Sequence, residues 1–502
     1  MWAKGGRAGP KSAVLDAPFD LFIGGKEVRG SAGERHPVLD PSTNRPLAEV
    51  SIATPEDARA AMEVADGAFR ESNWAQDDGS RRAKTLVRLA ALLEANLEGF
   101  ARLETQNMGK PLRESRGDIA YVVRTLEYFA GLADKVEGET LPVPGPRFDY
   151  TLREPLGVTV HIAPWNYPLL LSIRSVAPAL AAGNSVVLKP ASLTPLTAIA
   201  FARLAREAGV PEGIFNVIAG PGGAVGEALI DDPRCRAVTF TGSSEVGRRI
   251  AEVAARRLLP LTLELGGKGP VLIFPDADLD RAARGIGYGI FQNAGQMCWA
   301  ASRLLVHESV RSTVLEKVRL IAEALKIGPG VEDGVEMGPL VSAEQLDRVL
   351  GYVSDARNDG GAVVTGGTRV ASPSLADGNF LLPTILSDVP AGSRAVREEI
   401  FGPVLSVASF TDADDAVRQA NDTAYGLLAA VWTRDLATAH SIARRLECGM
   451  VVVNEPPITY PQTPFAGVKA SGLGFEQGRH ALETYTRRKN VLVNVGVSKR
   501  KA

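Results

Sequence analysis

Residues 158–188 read VTVHIAPWNYPLLLSIRSVAPALAAGNSVVL, and this stretch decides the fold. A short apolar run at 158–162 predicts a strand, 170–182 suits a helix, and 185–188 is a second apolar strand. The pattern continues downstream: helices over 194–207 and 223–230, strands over 215–218 and 237–240. Strands alternating with helices at this spacing build βαβ units and a parallel sheet. A second alternating block runs from 271 to about 454, with strands at 404–407 and 450–453. The fold class is therefore α/β, with two domains and a cleft between them.

The flanks read differently. Gly24 and Gly25 turn a hairpin over 21–28. Thr54-Pro55-Glu56-Asp57 opens a helical region, with Thr capping, Pro in the first turn and acids at the positive end of the dipole. Helical periodicity persists to about 135, with a break expected near Gly79. Residues 137–155 and 484–497 are extended pieces without neighbours in sequence, expected to pair in a small sheet whose edge serves oligomerisation. Residues 1–14 are basic and rich in Gly and Pro, and they lack the apolar run of a secretory signal. A frayed tail and a cytoplasmic location are expected.

Composition excludes several classes. Apolar residues make up 45% and charged residues 23% of 502, the globular norm. Fifty-six Lys and Arg against 58 Asp and Glu leave no basic excess for a phosphate backbone, so no nucleic-acid partner is expected. No apolar run reaches 18 residues, so no membrane span is expected. Cys235, Cys298 and Cys448 are too few for a disulfide framework and fit a reducing compartment.

Five local patterns carry possible chemistry, each with a plainer rival. Phe240-Thr241-Gly242-Ser243 follows a strand and opens a helix, a natural phosphate site or merely an N-cap. Lys189 ends a strand, where it either contacts a ligand or is solvated. Cys298, in Asn293-Ala294-Gly295-Gln296-Met297-Cys298, is crowded by glycine and amides, as a reactive thiolate requires; a lone cysteine is otherwise a small core residue. Glu264 ends an apolar strand before Gly266-Gly267, where a carboxylate is either paired or kept as a base. Asn166, in Pro164-Trp165-Asn166-Tyr167-Pro168, holds an oxyanion or is a turn residue.

Together with Glu398-Glu399-Ile400-Phe401-Gly402-Pro403, these elements stand in the order and spacing of one family. From about Asp20 to Val495 the chain resembles the NAD(P)-dependent aldehyde dehydrogenases of the hydrolytic, non-acylating type. The resemblance implies that Cys298 attacks the aldehyde, Asn166 and the Cys298 N–H hold the oxyanion, and Glu264 activates the water that releases the acid. It assigns Ile162, Trp165, Lys189, Ser192, Gly242, Ser243, Glu399 and Phe401 to NAD or NADP, and no residue to a metal. It divides the chain into a tail (1–19), a cofactor domain (20–136 and 155–264), a catalytic domain (265–477) and an oligomerisation arm (137–154 and 478–502). A homodimer or homotetramer follows. A CoA-acylating enzyme and a non-catalytic binding protein are the rival readings; the first commonly lacks the base at Glu264, and the second would be expected to lose Cys298.

The departures from the family pattern bear on specificity. Ser192 stands where NAD-preferring members carry Glu, which leaves room for a 2′-phosphate. Arg174 replaces a common Trp, as in semialdehyde dehydrogenases, but Gln292 replaces their second Arg. A semialdehyde substrate is thus half supported, with Tyr167, Arg174, Trp299, Tyr460 and Phe465 as candidate contacts. A neutral aliphatic or aromatic aldehyde is the alternative, in which Arg174 turns away to a surface carboxylate. Ser175 replaces a Lys, and Ala466 and Phe475 replace Gly and Arg.

Overall fold

A computed structural model describes residues 15–496 of the chain. Two largely parallel sheets organise it. The first runs, in spatial order, Lys26–Val28, Leu21–Ile23, Phe215–Val217, Ser185–Lys189, Val158–Ile162, Cys235–Thr241, Leu261–Glu264 and Gly472–Leu473. Its five central strands are parallel, and antiparallel strands close both edges. The second sheet runs Ala362–Thr365, Thr384–Ser387, Val404–Phe410, Arg303–His307, Pro270–Ile273, Leu428–Trp432 and Met450–Val453. All its neighbours pair in parallel except the first two. The α/β expectation therefore holds, with one exchange: Gly472–Leu473 comes from beyond the second block yet completes the first sheet.

The central strands are apolar along their whole length because helices cover both faces. Val158, Val160, Val187 and Val238 pack on one side with Pro55–Glu71 and Gly222–Asp231, while Val186 and Leu188 face Pro168–Ala181 and Leu196–Ala208 on the other. The Thr54 side chain accepts from Asp57 N and the Asp57 carboxylate accepts from Thr54 N, a reciprocal cap. Beyond it the helical region is cut more often than periodicity suggested. The helices are Pro55–Glu71, Gly79–Ala95, Leu97–Met108 and Leu112–Ala130. The unforeseen breaks fall at Asn96 and at Gly109-Lys110-Pro111, where Gly109 takes a left-handed φ of 98°.

The two extended pieces do pair: Thr486–Asn494 lies antiparallel to Arg147–Pro155, and Thr140–Leu141 adds a short third strand. Phe148 stands opposite Val493 on this ribbon, and both are exposed. Most of the expected tail, and residues 497–502 of the arm, lie outside the described residues; Phe19 is buried in the core beneath Val50. Among the described residues, no helix is long and apolar enough to cross a membrane.

Candidate active site

In a parallel sheet the strands' carboxyl ends form one edge, and that edge collects the expected residues. Ile162 pairs in register with both Lys189 and Phe240, and Thr241 with Glu264. Gly242 N donates to Glu264 O, and Ser243 caps the helix Ser244–Arg256 by accepting from Val246 N. Lys189 is buried, and its Nζ reaches only Pro190 O at 3.4 Å, with no carboxylate partner among the described residues. Burial alone pushes its ammonium down to about 8. A buried cation without a counter-charge fits a group bearing hydroxyls or a phosphate. Ser192 Oγ donates to Gly220 O at 2.9 Å beside it. Trp165 and Phe401 meet edge to face with ring centres 5.1 Å apart. Glu399 accepts from Gly267 N at 2.8 Å, and burial raises its carboxyl to about 7. Donors at a helix start, a buried lysine, an aromatic pair and a held carboxyl make a set suited to a dinucleotide.

Cys298 arrives from the second block on a constrained loop. Asn293, Ala294 and Gly295 are consecutive left-handed residues, at φ 48°, 50° and 71°. Such backbone persists only when its surroundings hold it. Asn293 N donates to Glu114 at 2.9 Å, Gln296 Oε1 accepts from Val341 N at 2.9 Å, and a Cβ on Gly295 would overlap the Gly402 carbonyl. Asn166 joins this loop to the first sheet. Its Nδ2 donates to Gln296 O at 2.9 Å, and its own carbonyl accepts from Asn293 Nδ2 at 3.0 Å. The second N–H of the Asn166 amide has no hydrogen-bond partner among the described residues. Gly266 and Gly267 have room for no side chain: a Cβ on the first would strike the Glu399 carboxylate, and one on the second the Cys298 carbonyl.

Glu264 is 1% exposed, and neither carboxylate oxygen has a hydrogen-bond partner among the described residues. Burial drives its carboxyl well above the ordinary range, Arg174 opposes that, and Glu476 adds to it. Burial likewise pushes the Cys298 thiol up to about 12, again against Arg174. A carboxyl raised in this way is, once ionised, a stronger base than an ordinary carboxylate.

A cavity of about 660 Å³ opens on Cys298. Tyr167, Arg174, Trp299 and Phe465 line it, with Gln292; Tyr460 does not, and is instead 40% exposed. Arg174 follows neither expected course alone. It lines the cavity and stacks 4.6 Å from the Phe465 ring centre, but its Nε bonds Glu476, itself buried. The partner is thus a core carboxylate, not a surface one. Ser175 points elsewhere along the helix, to His161 Nδ1 at 2.9 Å. Nothing in the structure explains Ala466 or Phe475.

Sequence reading missed three acids. Glu114 and Asp118 line the cavity, where Lys110 binds Asp118 at 2.7 Å and sits 4.1 Å from the Tyr167 ring centre. Burial and Asp118 together hold the Glu114 carboxyl up at about 8. The third is Glu476. The available signal was faint: acids one turn apart on a helix with an apolar face, and a lone acid after Gly474-Phe475.

The sequence matches the aldehyde dehydrogenase family over residues 28–491. It is 41% identical to a hydroxyisobutyraldehyde dehydrogenase of Mycolicibacterium austroafricanum, over 96% of this chain and 95% of that one. It is 42% identical to a betaine aldehyde dehydrogenase of Cereibacter sphaeroides, over 95% and 97%. Among solved structures, the NAD+ complex of an aldehyde dehydrogenase from Bacillus cereus superposes with a TM-score of 0.94 at 39% identity, covering 96% of this chain and 98% of that one.

Proposed function

The chain belongs to the aldehyde dehydrogenase family and is an NAD(P)-dependent aldehyde dehydrogenase, and from that premise we propose which of its residues perform the oxidation. Cys298 gives up its thiol proton to solvent and, as the thiolate, adds to the aldehyde carbon. The free N–H of Asn166 and the Cys298 N–H hold the oxyanion of the thiohemiacetal. When bound, NAD(P)+ supplies the oxidant. Lys189, Ser192 and the Gly242-Ser243 turn hold its adenosine and phosphate end, and Glu399, Trp165, Phe401 and Ile162 its nicotinamide end. The oxidised carbon remains on Cys298 as a thioester, and Glu264 then removes a proton from the water that hydrolyses it. The observation that carries this is the convergence of Cys298, Asn166 and unpartnered Glu264 where the two sheets' elements meet.

For the substrate, a neutral aldehyde is the reading best supported. The Arg174 charge is already matched by Glu476, Gln292 offers no second cation, and Glu114 and Asp118 face the same cavity. Neither named relative carries an anionic substrate in its name. One observation favours the semialdehyde: Arg174 Nη2 has no partner among the described residues. Comparing kcat/KM for succinic semialdehyde with that for pentanal, in wild type and Arg174→Lys, decides between them. A semialdehyde preference of tenfold or more, the order one charge-assisted hydrogen bond supplies, lost in the variant, would establish the second reading.

Division into a cofactor part around the first sheet, a catalytic part around the second and an arm for self-association belongs to the same proposal. The exposed apolar residues Phe148, Leu152 and Val493 on the arm support its pairing with another copy.

A further inference from the structure

Around the reacting groups, the charges are unevenly supplied. Glu264 and Glu476 are both buried carboxyls, and Glu399 also faces Cys298. Against these stands Arg174, which faces Cys298, Glu264, Glu476 and Tyr121, while Arg348 and Lys268 face Glu399. Its helix, Pro168–Ala181, is buried along its length, and successive side chains on a helix diverge by about 100°. Ser175 therefore turns to His161 while Arg174 turns to the cavity that Cys298 lines. The guanidinium cannot wander: Glu476 holds its Nε, and the Phe465 ring lies under it at 4.6 Å.

We propose that Arg174 is a positioning residue for the oxidation itself, the fixed cation that favours the Cys298 thiolate, with Glu476 setting how much of its charge the site feels. This rests on the reading that Cys298 is the nucleophile. A half-buried thiol facing carboxylates is held toward its unreactive, protonated form. A guanidinium facing the sulfur opposes that, and it is the cation best suited to the task because it does not lose its own proton. Glu476 divides the effect. Ionised, as its bond to the Arg174 guanidinium favours, it cancels part of the Arg174 charge; its burial, which raises the carboxyl, works against that cancellation. Removing either partner must therefore move the thiol in opposite directions.

The test is the pH dependence of Cys298 alkylation by iodoacetamide, followed by peptide mass because Cys235 and Cys448 also carry thiols. It needs no aldehyde turnover. In Arg174→Met the alkylation rate near neutral pH is expected to fall about tenfold, which is one unit in the thiol's pKa. Arg174→Lys should recover most of the rate, and Glu476→Gln should exceed wild type. A purely structural role for the pair predicts losses in both substitutions. Superimposable profiles for wild type and Arg174→Met, or shifts in the same direction for Arg174→Met and Glu476→Gln, overturn the proposal. If Arg174→Met does not fold, Glu476→Gln alone still decides by its sign. Failure of the catalytic reading shows differently, as full turnover in Cys298→Ser.

Discussion

Gly267→Ala separates a precisely held nucleophile from one merely near its substrate. A methyl group there would lie 3.3 Å from the Cys298 carbonyl carbon, 3.4 Å from Leu427 Cβ, and overlap the Cys298 carbonyl oxygen outright. All three neighbours are backbone or Cβ, so no flexible side chain can swing aside. Relief requires the Cys298 strand of the loop to move by roughly 1 Å, and misplacement of that size costs about a hundredfold in rate. The loop has little freedom to move as a body, since Glu114, Val341 and Gly402 hold it. Overpacking adds about 1–3 kcal/mol of destabilisation, which leaves a chain of this size folded. The same shift loosens the Gly267 N bond to Glu399, so the cofactor KM should rise as kcat falls. Absorbance of the reduced nicotinamide gives both constants, and thermal unfolding checks the fold. Gly351→Ala, in a helix with nothing within 4 Å of the added carbon, is the control, expected to be neutral or slightly stabilising. A Gly267→Ala enzyme with kcat within about threefold of wild type would refute the claim that Cys298 is positioned this tightly.

Three further outcomes are expected. Ser192→Glu places a carboxylate beside the Lys189 site, so NADP+ efficiency should fall by roughly 30- to 1000-fold, about 2–4 kcal/mol, with NAD+ little changed; equal losses for both would contradict the assignment. Lys189 sits at about 8 when free, so NADP+ binding should take up a proton above that pH and weaken as pH rises, measurable by calorimetry in buffers of different ionisation enthalpy. By the same linkage the unfolded chain binds more protons between about 8 and the ordinary 10.5, so this group's contribution to stability rises with pH across that window; absence of proton uptake would remove Lys189 from the site. Phe148→Asp or Val493→Asp on the arm should lower the mass in light scattering, while a wild type already monomeric at micromolar concentration would refute the arm's role.

What the sequence disclosed follows a physical line. Buried parallel strands are apolar throughout, so 158–162, 185–188 and 237–240 declared themselves, as did Gly24-Gly25, both at positive φ in the observed hairpin. Helix boundaries were legible at Thr54, where a strong cap stands, and near Gly79, where Asp78 caps the next helix. Asn96 has no side-chain cap bond and Gly109-Lys110-Pro111 interrupts a still amphipathic run, so both passed unseen. At the site, Glu264 and Asn166 stood out as polar residues at the ends of apolar strands, and Cys298 because glycine and amides crowd it. Tyr460 failed to reach the cavity because the loop after Pro457 turns it outward, which no periodicity encodes. Glu476 and Arg174 lie 302 positions apart, so their pairing was invisible until the chain was folded.

The most direct test of the account freezes the reaction between its two halves. Glu264→Gln keeps the side chain's shape but cannot accept a proton, so acylation should proceed and hydrolysis stall. Peptide mass spectrometry of that variant, quenched in acid after mixing with NAD(P)+ and an oxidisable aldehyde, should show the acyl group as a thioester on Cys298. Reduced cofactor should appear in a burst of one equivalent per active site. An unmodified Cys298 with turnover at the wild-type rate, or an acyl group on any other residue, would contradict it.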